Sequence, residues 1–259
     1  MSGTATIAGT DAAAARPPVI EVARLTAHYG ETQVLFDVDL AVEAGEIMVI
    51  MGGSGSGKST LLRHLVGLEI PTSGEISLLG VDIAQASADE ILPVRRKIGV
   101  AFQGGALFSS MTVLENIMLP LHEHTKLNRK TMEIMARLKL EVVGLADFDD
   151  LMPSELSGGM LKRAAVARAI VMDPELLFFD EPSAGLDPVV SSALDDLILL
   201  LRDAMNMTIV VVTHELESAF KIADRITILD RGHILMVDTA DAVRQSDNER
   251  IQNLLVQSA

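Results

Sequence analysis

Gly52-Gly53-Ser54-Gly55-Ser56-Gly57-Lys58-Ser59 is the stretch from which the rest of this chain can be read. It has the form G-x-x-x-x-G-K-[ST], and its flanks fit. Ile47–Met51 before it is an apolar run of strand length, and Leu61, Leu62, Leu65 and Leu68 after it fall on one helix face. Glycines in such a turn let the backbone wrap phosphates with no Cβ in the way. The helix that follows offers free N–H groups and the positive end of its dipole to an anion. Lys58 is then placed to reach the β- and γ-phosphates of a nucleoside triphosphate, Ser59 to hold Mg²⁺, and Thr60 to complete the cradle.

Outward from that loop, the length of 259 residues suits one α/β domain with room for an inserted subdomain. The net charge of −15 argues against nucleic acid as a partner, because phosphate backbones call for basic patches. It equally argues against adhesion to anionic lipid by charge alone. No cysteine is present, so thiol and disulfide chemistry are out of reach. The longest apolar runs, Ile47–Met51, Leu176–Phe179 and Ile209–Val212, are far short of the ~20 residues a membrane-spanning helix needs. Residues 1–18 are small and polar and read as a disordered tail rather than a signal peptide, leaving 19–259 as the folded domain.

Strand and helix signals alternate from Val19 onward. Ile20–Tyr29 and Val34–Val42 predict an antiparallel pair, Glu75–Leu79 and Lys97–Phe102 further strands, and Ser87-x-x-Glu90 a capping box. From about 104 to 172 the pattern is helical throughout, with caps expected at Thr112 and Asn128 and a stop at Gly144. Strands return at Leu176–Phe179, Thr208–Val212 and Ile226–Leu229, followed by a hairpin turn at Asp230-Arg231-Gly232. A helical block between parallel-type strands predicts an α/β core carrying a helical subdomain at about 104–172. The last sixteen residues read as helix, with Ile251, Leu254 and Leu255 on one face. That face either packs on its own domain or docks a partner.

Two further patterns select the chemistry. Leu176-Leu177-Phe178-Phe179-Asp180-Glu181 is a buried strand ending in two acids, the first suited to Mg²⁺ and the second to taking a proton from water. Leu156-Ser157-Gly158-Gly159-Met160 opens an apolar helix, so Ser157, Gly158 and Gly159 form a second phosphate nest. One P-loop with two nests makes sense if two copies face each other and each nest closes over the other's nucleotide.

In order and spacing over Tyr29 to His214, the chain resembles the ATP-binding-cassette (ABC) ATPases, whose signature is L-S-G-G-x. The resemblance implies a P-loop NTPase (RecA-like) core with an antiparallel β subdomain and an inserted helical subdomain. It implies ATP and Mg²⁺ as ligands, Asp180 as a metal ligand, Glu181 as the base, and Gln103 as the Q-loop residue that contacts Mg²⁺ and links the site to a transporter. Tyr29 corresponds to the aromatic that stacks on adenine, His214 to the switch histidine at the γ-phosphate, and Asp187 to the D-loop at the dimer interface. Asp187 also reads as a helix N-cap before Pro188, and both uses are compatible. Met160 stands where many members carry Gln, which removes a side-chain hydrogen bond but leaves the backbone nest.

Phe102–Phe108 and Leu151–Met160 are similar to one branch, the Mla-type ATPases that energise MCE-protein lipid transporters. That likeness implies a separate integral-membrane permease, an MCE-domain partner and a STAS-domain partner, with the chain held at the cytoplasmic face of the inner membrane. Other ABC importers or exporters, and non-transport ABC proteins, would share the same catalytic residues. Seven of the thirteen methionines fall between Met111 and Met172, where they could line a groove for a partner helix or fill the subdomain's own core.

Overall fold

The computed structural model describes residues 18–257. The tail expected over residues 1–18 lies outside that range except for Pro18, which opens the first strand.

Two sheets form the frame. The smaller is antiparallel and four-stranded, built from β1 (Pro18–Tyr29), β2 (Thr32–Glu43), β4 (Ser73–Leu78) and the two-residue β5 (Val81–Asp82), in the order β2-β1-β4-β5. The larger has six strands in the order β10-β9-β3-β8-β7-β6. It uses β3 (Ile47–Met51), β6 (Ile98–Ala101), β7 (Leu176–Asp180), β8 (Thr208–Thr213), β9 (Arg225–Asp230) and the antiparallel edge strand β10 (His233–Thr239). Strands β3, β6, β7, β8 and β9 run parallel.

The central strands are apolar throughout because both faces of the large sheet are covered. Alternate side chains enter different cores. Ile47, Val49, Leu177, Phe179, Ile209 and Val211 pack toward the helices on one face. Met48, Ile50, Leu176, Phe178, Val210 and Val212 pack toward the small sheet and α1 (Lys58–Leu65). Neighbouring phenylalanines are therefore buried on opposite sides, each contributing about 1.5–3 kcal/mol.

Three helices make the inserted region: α3 (Val113–His124), α4 (Arg129–Val142) and α5 (Gly158–Ala169). A shorter one, α2 (Ala88–Arg95), precedes it. Its capping signal is made, since the Glu90 carboxylate accepts both the Ser87 N–H at 2.9 Å and the Ser87 hydroxyl at 2.7 Å. Thr112 and Asn128 cap α3 and α4 as expected. The region is not helical throughout, however. Residues 104–112 are irregular, because Gly105 and Ala106 take left-handed φ values of 73° and 50°, which end any helix. Residues 143–152 also leave the helix, after Gly144 at φ 73°.

The remaining helices are α6 (Pro188–Met205), α7 (Leu216–Ile222), α8 (Ala240–Arg244) and α9 (Glu249–Gln257). The C-terminal helix thus starts later than expected, and it uses its apolar face on its own domain, with Ile251 buried and Leu254 and Leu255 against the same core. Among the described residues no helix is long and apolar enough to cross a membrane.

Candidate nucleotide site

The strand order puts the candidate site residues side by side. In parallel α/β sheets ligands sit at the carboxyl ends of the strands. Here Gly52 follows β3, His214 follows β8, Asp180 ends β7 and Gln103 lies just beyond β6, with the strands adjacent in that order. Met51 pairs with Thr213 and Asp180 with Val212, so the ends are level.

The P-loop turns into α1 at Gly57, whose φ of 105° a side chain would not tolerate. A Cβ at Gly52 would meet the Leu229 carbonyl oxygen at 2.1 Å, so only glycine lets the chain leave β3 past β9. Arg231 and Gly232, both left-handed at φ 48° and 79°, form the expected hairpin turn between β9 and β10. That turn has a second use invisible in the sequence: the Gly232 N–H donates to the Ser56 carbonyl at 2.9 Å, bracing the P-loop from behind.

Lys58 is buried, and its Nζ donates to the Gly52 and Gly53 carbonyls at 2.7 and 3.1 Å, spanning the loop from within. Burial pulls its pKa down, while the charges of Glu181 and Asp180 push it back up. The Ser56 hydroxyl is buried with no hydrogen-bond partner among the described residues, an orphan that a phosphate oxygen would satisfy. Gly55, Ser56, Gly57, Lys58, Ser59 and Thr60 line a cavity of about 420 Å³ together with Tyr29, which is 76% exposed. A largely exposed aromatic side chain at one end and a glycine-rich, lysine-bearing loop at the other fit a purine nucleoside triphosphate.

Asp180 and Glu181 take different paths. Burial first, then the Glu181 charge, raises the Asp180 carboxyl above its ordinary pKa, against the pull of Arg63, Lys58 and Lys162. A divalent cation at Ser59 and Asp180 would relieve that penalty, so the donor set fits Mg²⁺. Glu181 sits at φ 46°, a conformation costing about 1–2 kcal/mol for a residue with a Cβ. Its N–H donates to the Val212 carbonyl at 2.8 Å, and its carbonyl accepts from Lys162 Nζ at 3.1 Å. This turn aims the carboxylate at His214, whose Nδ1 lies 2.8 Å from Glu181 Oε2. The other imidazole nitrogen faces Glu215 at 3.7 Å. Gln103 is exposed at the neighbouring strand end.

The signature residues are elsewhere. Ser157 caps α5, its hydroxyl accepting from the Met160 N–H at 3.3 Å, and Gly158 and Gly159 form the first turn. A Cβ at Gly159 would meet Val190 at 2.6 Å and one at Gly158 would meet Leu186 at 3.7 Å, so this nest lies against the start of α6. Asp187 caps α6 through the Val189 and Val190 N–H groups at 3.0 and 3.1 Å, as the capping reading requires. None of Ser157, Gly158, Gly159 or Asp187 lines the cavity over the P-loop.

Sequence reading missed Lys162, Arg168 and Asn116. Arg168 donates to the Gly105 and Ala106 carbonyls at 2.9 and 2.7 Å, gripping the loop beyond Gln103. Asn116 is fully buried and holds Phe108, Met111 and Thr112. Beside that loop, Ser110, Met111, Glu115, Met118, His122 and Met132 border a groove of about 720 Å³. Met132 is buried in the core, as the core-filling reading expects, and it also borders this groove with Met111 and Met118.

Comparison with known proteins agrees with this arrangement. The profile of the family described as ABC transporter matches residues 35–184. The intermembrane phospholipid transport system ATP-binding protein MlaF of Haemophilus influenzae is 41% identical over 92% of this chain and 90% of its own length. The probable ribonucleotide transport ATP-binding protein mkl of Mycobacterium leprae is 40% identical over 91% of this chain, which spans 68% of that protein. Among solved structures, the dimeric post-hydrolysis ATP-binding cassette MJ0796 with ADP and Pi superposes with a TM-score of 0.78 at 32% identity, covering 85% of this chain and 98% of that one.

Proposed function

The chain belongs to the ABC transporter family, and from that premise we propose that it is an ATP-hydrolysing subunit that drives phospholipid between inner and outer membranes through a separate permease and an MCE-domain protein. The observation that carries the cargo is the near end-to-end match to the phospholipid-transport relative, 90% of whose length is covered. The relative named for probable ribonucleotide transport is almost as similar, at 40% identity, and it is the likeness of Phe102–Phe108 and Leu151–Met160 to the Mla-type branch that favours phospholipid. Ribonucleotide transport is therefore the second reading.

The site's geometry supports the following chemistry. Tyr29 stacks on the adenine and the P-loop N–H groups, Lys58 and Thr60 hold the phosphates. Bound Mg²⁺, held by Ser59 and Asp180 with Gln103 beside them, would neutralise charge on the β- and γ-phosphates. Glu181 takes the proton of the attacking water at its carboxylate. His214 presents its ring to the γ-phosphate. With the imidazole proton on Nδ1 toward Glu181, Nε2 can only accept. Donation to a phosphate oxygen therefore requires the ring to be protonated or to turn away from Glu181.

The separation of the signature nest from the P-loop cavity supports a site shared between two copies. Ser157, Gly158, Gly159 and Asp187 of one then close on the nucleotide of the other, and closure excludes water. The dimeric relative points the same way. The groove beside Met111, Met118 and Met132 suits a helix of the permease, which would hold the chain peripherally at the cytoplasmic face of the inner membrane. A STAS-domain partner belongs to the same reading.

The test is capture of the tagged chain from detergent-solubilised native membranes, with mass spectrometry of proteins and lipids. A multispan permease, an MCE protein and phospholipid are expected. A permease with a soluble solute-binding protein and no lipid would keep the ATPase and overturn the cargo.

A further inference from the structure

Lys162 has no assigned part in nucleotide binding, yet its ammonium reaches the backbone of the proposed base. It lies on α5, five residues past the Ser157 cap, or about 7.5 Å along the helix axis. From there Nζ donates to the Glu181 carbonyl at 3.1 Å, across 19 residues of sequence. That carbonyl also accepts from the Ala184 N–H at 3.3 Å, and the Glu181 N–H is taken by Val212 at 2.8 Å. Glu181 thus keeps its left-handed backbone because both of its peptide groups are tied, and only one of the ties comes from α5. The same helix is fixed at its ends by two other functional elements. Its first turn sits against Val190 at the start of α6, and Arg168 near its last turn grips the Gly105 and Ala106 carbonyls beyond Gln103.

We propose that Lys162 is a positioning residue that ties the aim of Glu181 to the seating of α5, so that a chain's base is set when its own signature nest engages the nucleotide held by the partner copy. This rests on the two-copy reading given above. The physical basis is short and direct. A nest that closes on phosphate moves the N-terminus of α5, and Lys162 is the side chain that carries the movement to the Glu181 peptide. Displacing a catalytic group by about 1 Å costs up to about 100-fold in rate, so a single hydrogen bond at that position is enough to gate turnover.

Lys162→Met keeps the stem and removes the donor, while Lys162→Arg keeps a donor of similar reach. The experiment is steady-state ATP hydrolysis by the full chain with Mg²⁺, fitted for kcat, KM and Hill coefficient, alongside nucleotide affinity and thermal midpoint. For Lys162→Met, kcat should fall about 10- to 100-fold with ATP affinity unchanged, because Lys162 is not among the residues lining the nucleotide cavity. The Hill coefficient should fall from near ~2 toward ~1. Lys162→Arg should recover kcat to within about threefold. Unchanged kcat and cooperativity in Lys162→Met overturn the proposal, as does a loss that Lys162→Arg shares in full. Light scattering of the Glu181→Gln chain with ATP tests the two-copy reading separately. No dimer there overturns both ideas, whereas a dimer with an unaltered Lys162→Met chain overturns only the role of Lys162.

Discussion

Replacing Asn116 by leucine should loosen the loop beyond Gln103 without touching the P-loop, and its cost can be worked from the contacts. The side chain is fully buried on α3. Its Oδ1 accepts from the Phe108 N–H at 2.7 Å, and its Nδ2 donates to the carbonyls of Phe108, Met111 and Thr112 at 3.1, 3.1 and 2.9 Å. Leucine fills nearly the same volume, so the cost is electrostatic rather than a cavity. Two of the four backbone groups keep other partners: the Phe108 carbonyl accepts from the Met111 N–H at 3.2 Å, and the Thr112 carbonyl from the Asn116 N–H at 3.0 Å. The Phe108 N–H and the Met111 carbonyl are left orphaned, at about 1–3 kcal/mol each if they stay dry. Phe108 is 51% exposed, so water reaches part of the loop. The buried leucine offsets some of the rest. A net loss of about 1–3 kcal/mol follows, or roughly 3–9 °C in thermal midpoint for a domain of this size. Calorimetry reads the midpoint, and amide hydrogen exchange at Phe108 should accelerate. Asn116→Asp, which keeps the acceptor but turns a carboxylate on three carbonyls, should be worse still. A Leu variant within about 1 °C of wild type, or an Asp variant more stable than it, would refute the reasoning.

The proposed site residues give three further expectations. Glu181→Gln should cut hydrolysis by roughly 10²–10⁴-fold while ATP stays bound, and near-normal turnover would remove Glu181 from the base role. Tyr29→Ala should weaken ATP binding by about 10-fold or more with kcat at saturation little changed, since base stacking contributes ~1–3 kcal/mol; unaltered affinity by calorimetry would rule out stacking. Asp180→Asn has opposite effects on stability and activity. The carboxyl's pKa is raised in the fold by burial and by Glu181, so the fold favours the neutral acid, and the stability contributed at this group declines as pH rises through the folded pKa. An amide is neutral at every pH. The nucleotide-free variant should therefore melt higher than wild type at pH 7 yet lose Mg²⁺-dependent hydrolysis, and a lower midpoint would count against that account.

What could be read before the structure, and what could not, follows from how each residue acts. The P-loop, the acidic strand and the caps at Ser87, Thr112 and Asn128 announce themselves because their partners lie within a few residues, where spacing and geometry are the same thing. The region from 104 to 172 is helical over α3, α4 and α5 but misled at 104–112 and 143–152, where the composition is helical and the backbone is not. Gly105 and Ala106 turn left-handed, and the loop they begin is held by Asn116 and Arg168 through carbonyl oxygens. Carbonyls carry no side-chain identity, so bonds to them leave no pattern in a sequence. Lys162 on the Glu181 carbonyl and Gly232 on the Ser56 carbonyl escaped for the same reason.

The division of the proposed phosphate-binding groups reaches further than any of these. Tyr29 and the P-loop share one cavity, while Ser157, Gly158 and Gly159 lie with Leu186 and Val190 outside it. Each group is well formed by its own local bonds, so neither needs the other in order to fold. If that nest receives phosphate, as proposed, its separation from the chain's own P-loop calls for phosphate from another molecule. On this argument hydrolysis should rise more steeply than linearly with the concentration of this chain until the dimer is saturated. Turnover per chain that is independent of protein concentration down to the nanomolar range, with a monomer shown by light scattering, would break the argument at its first step.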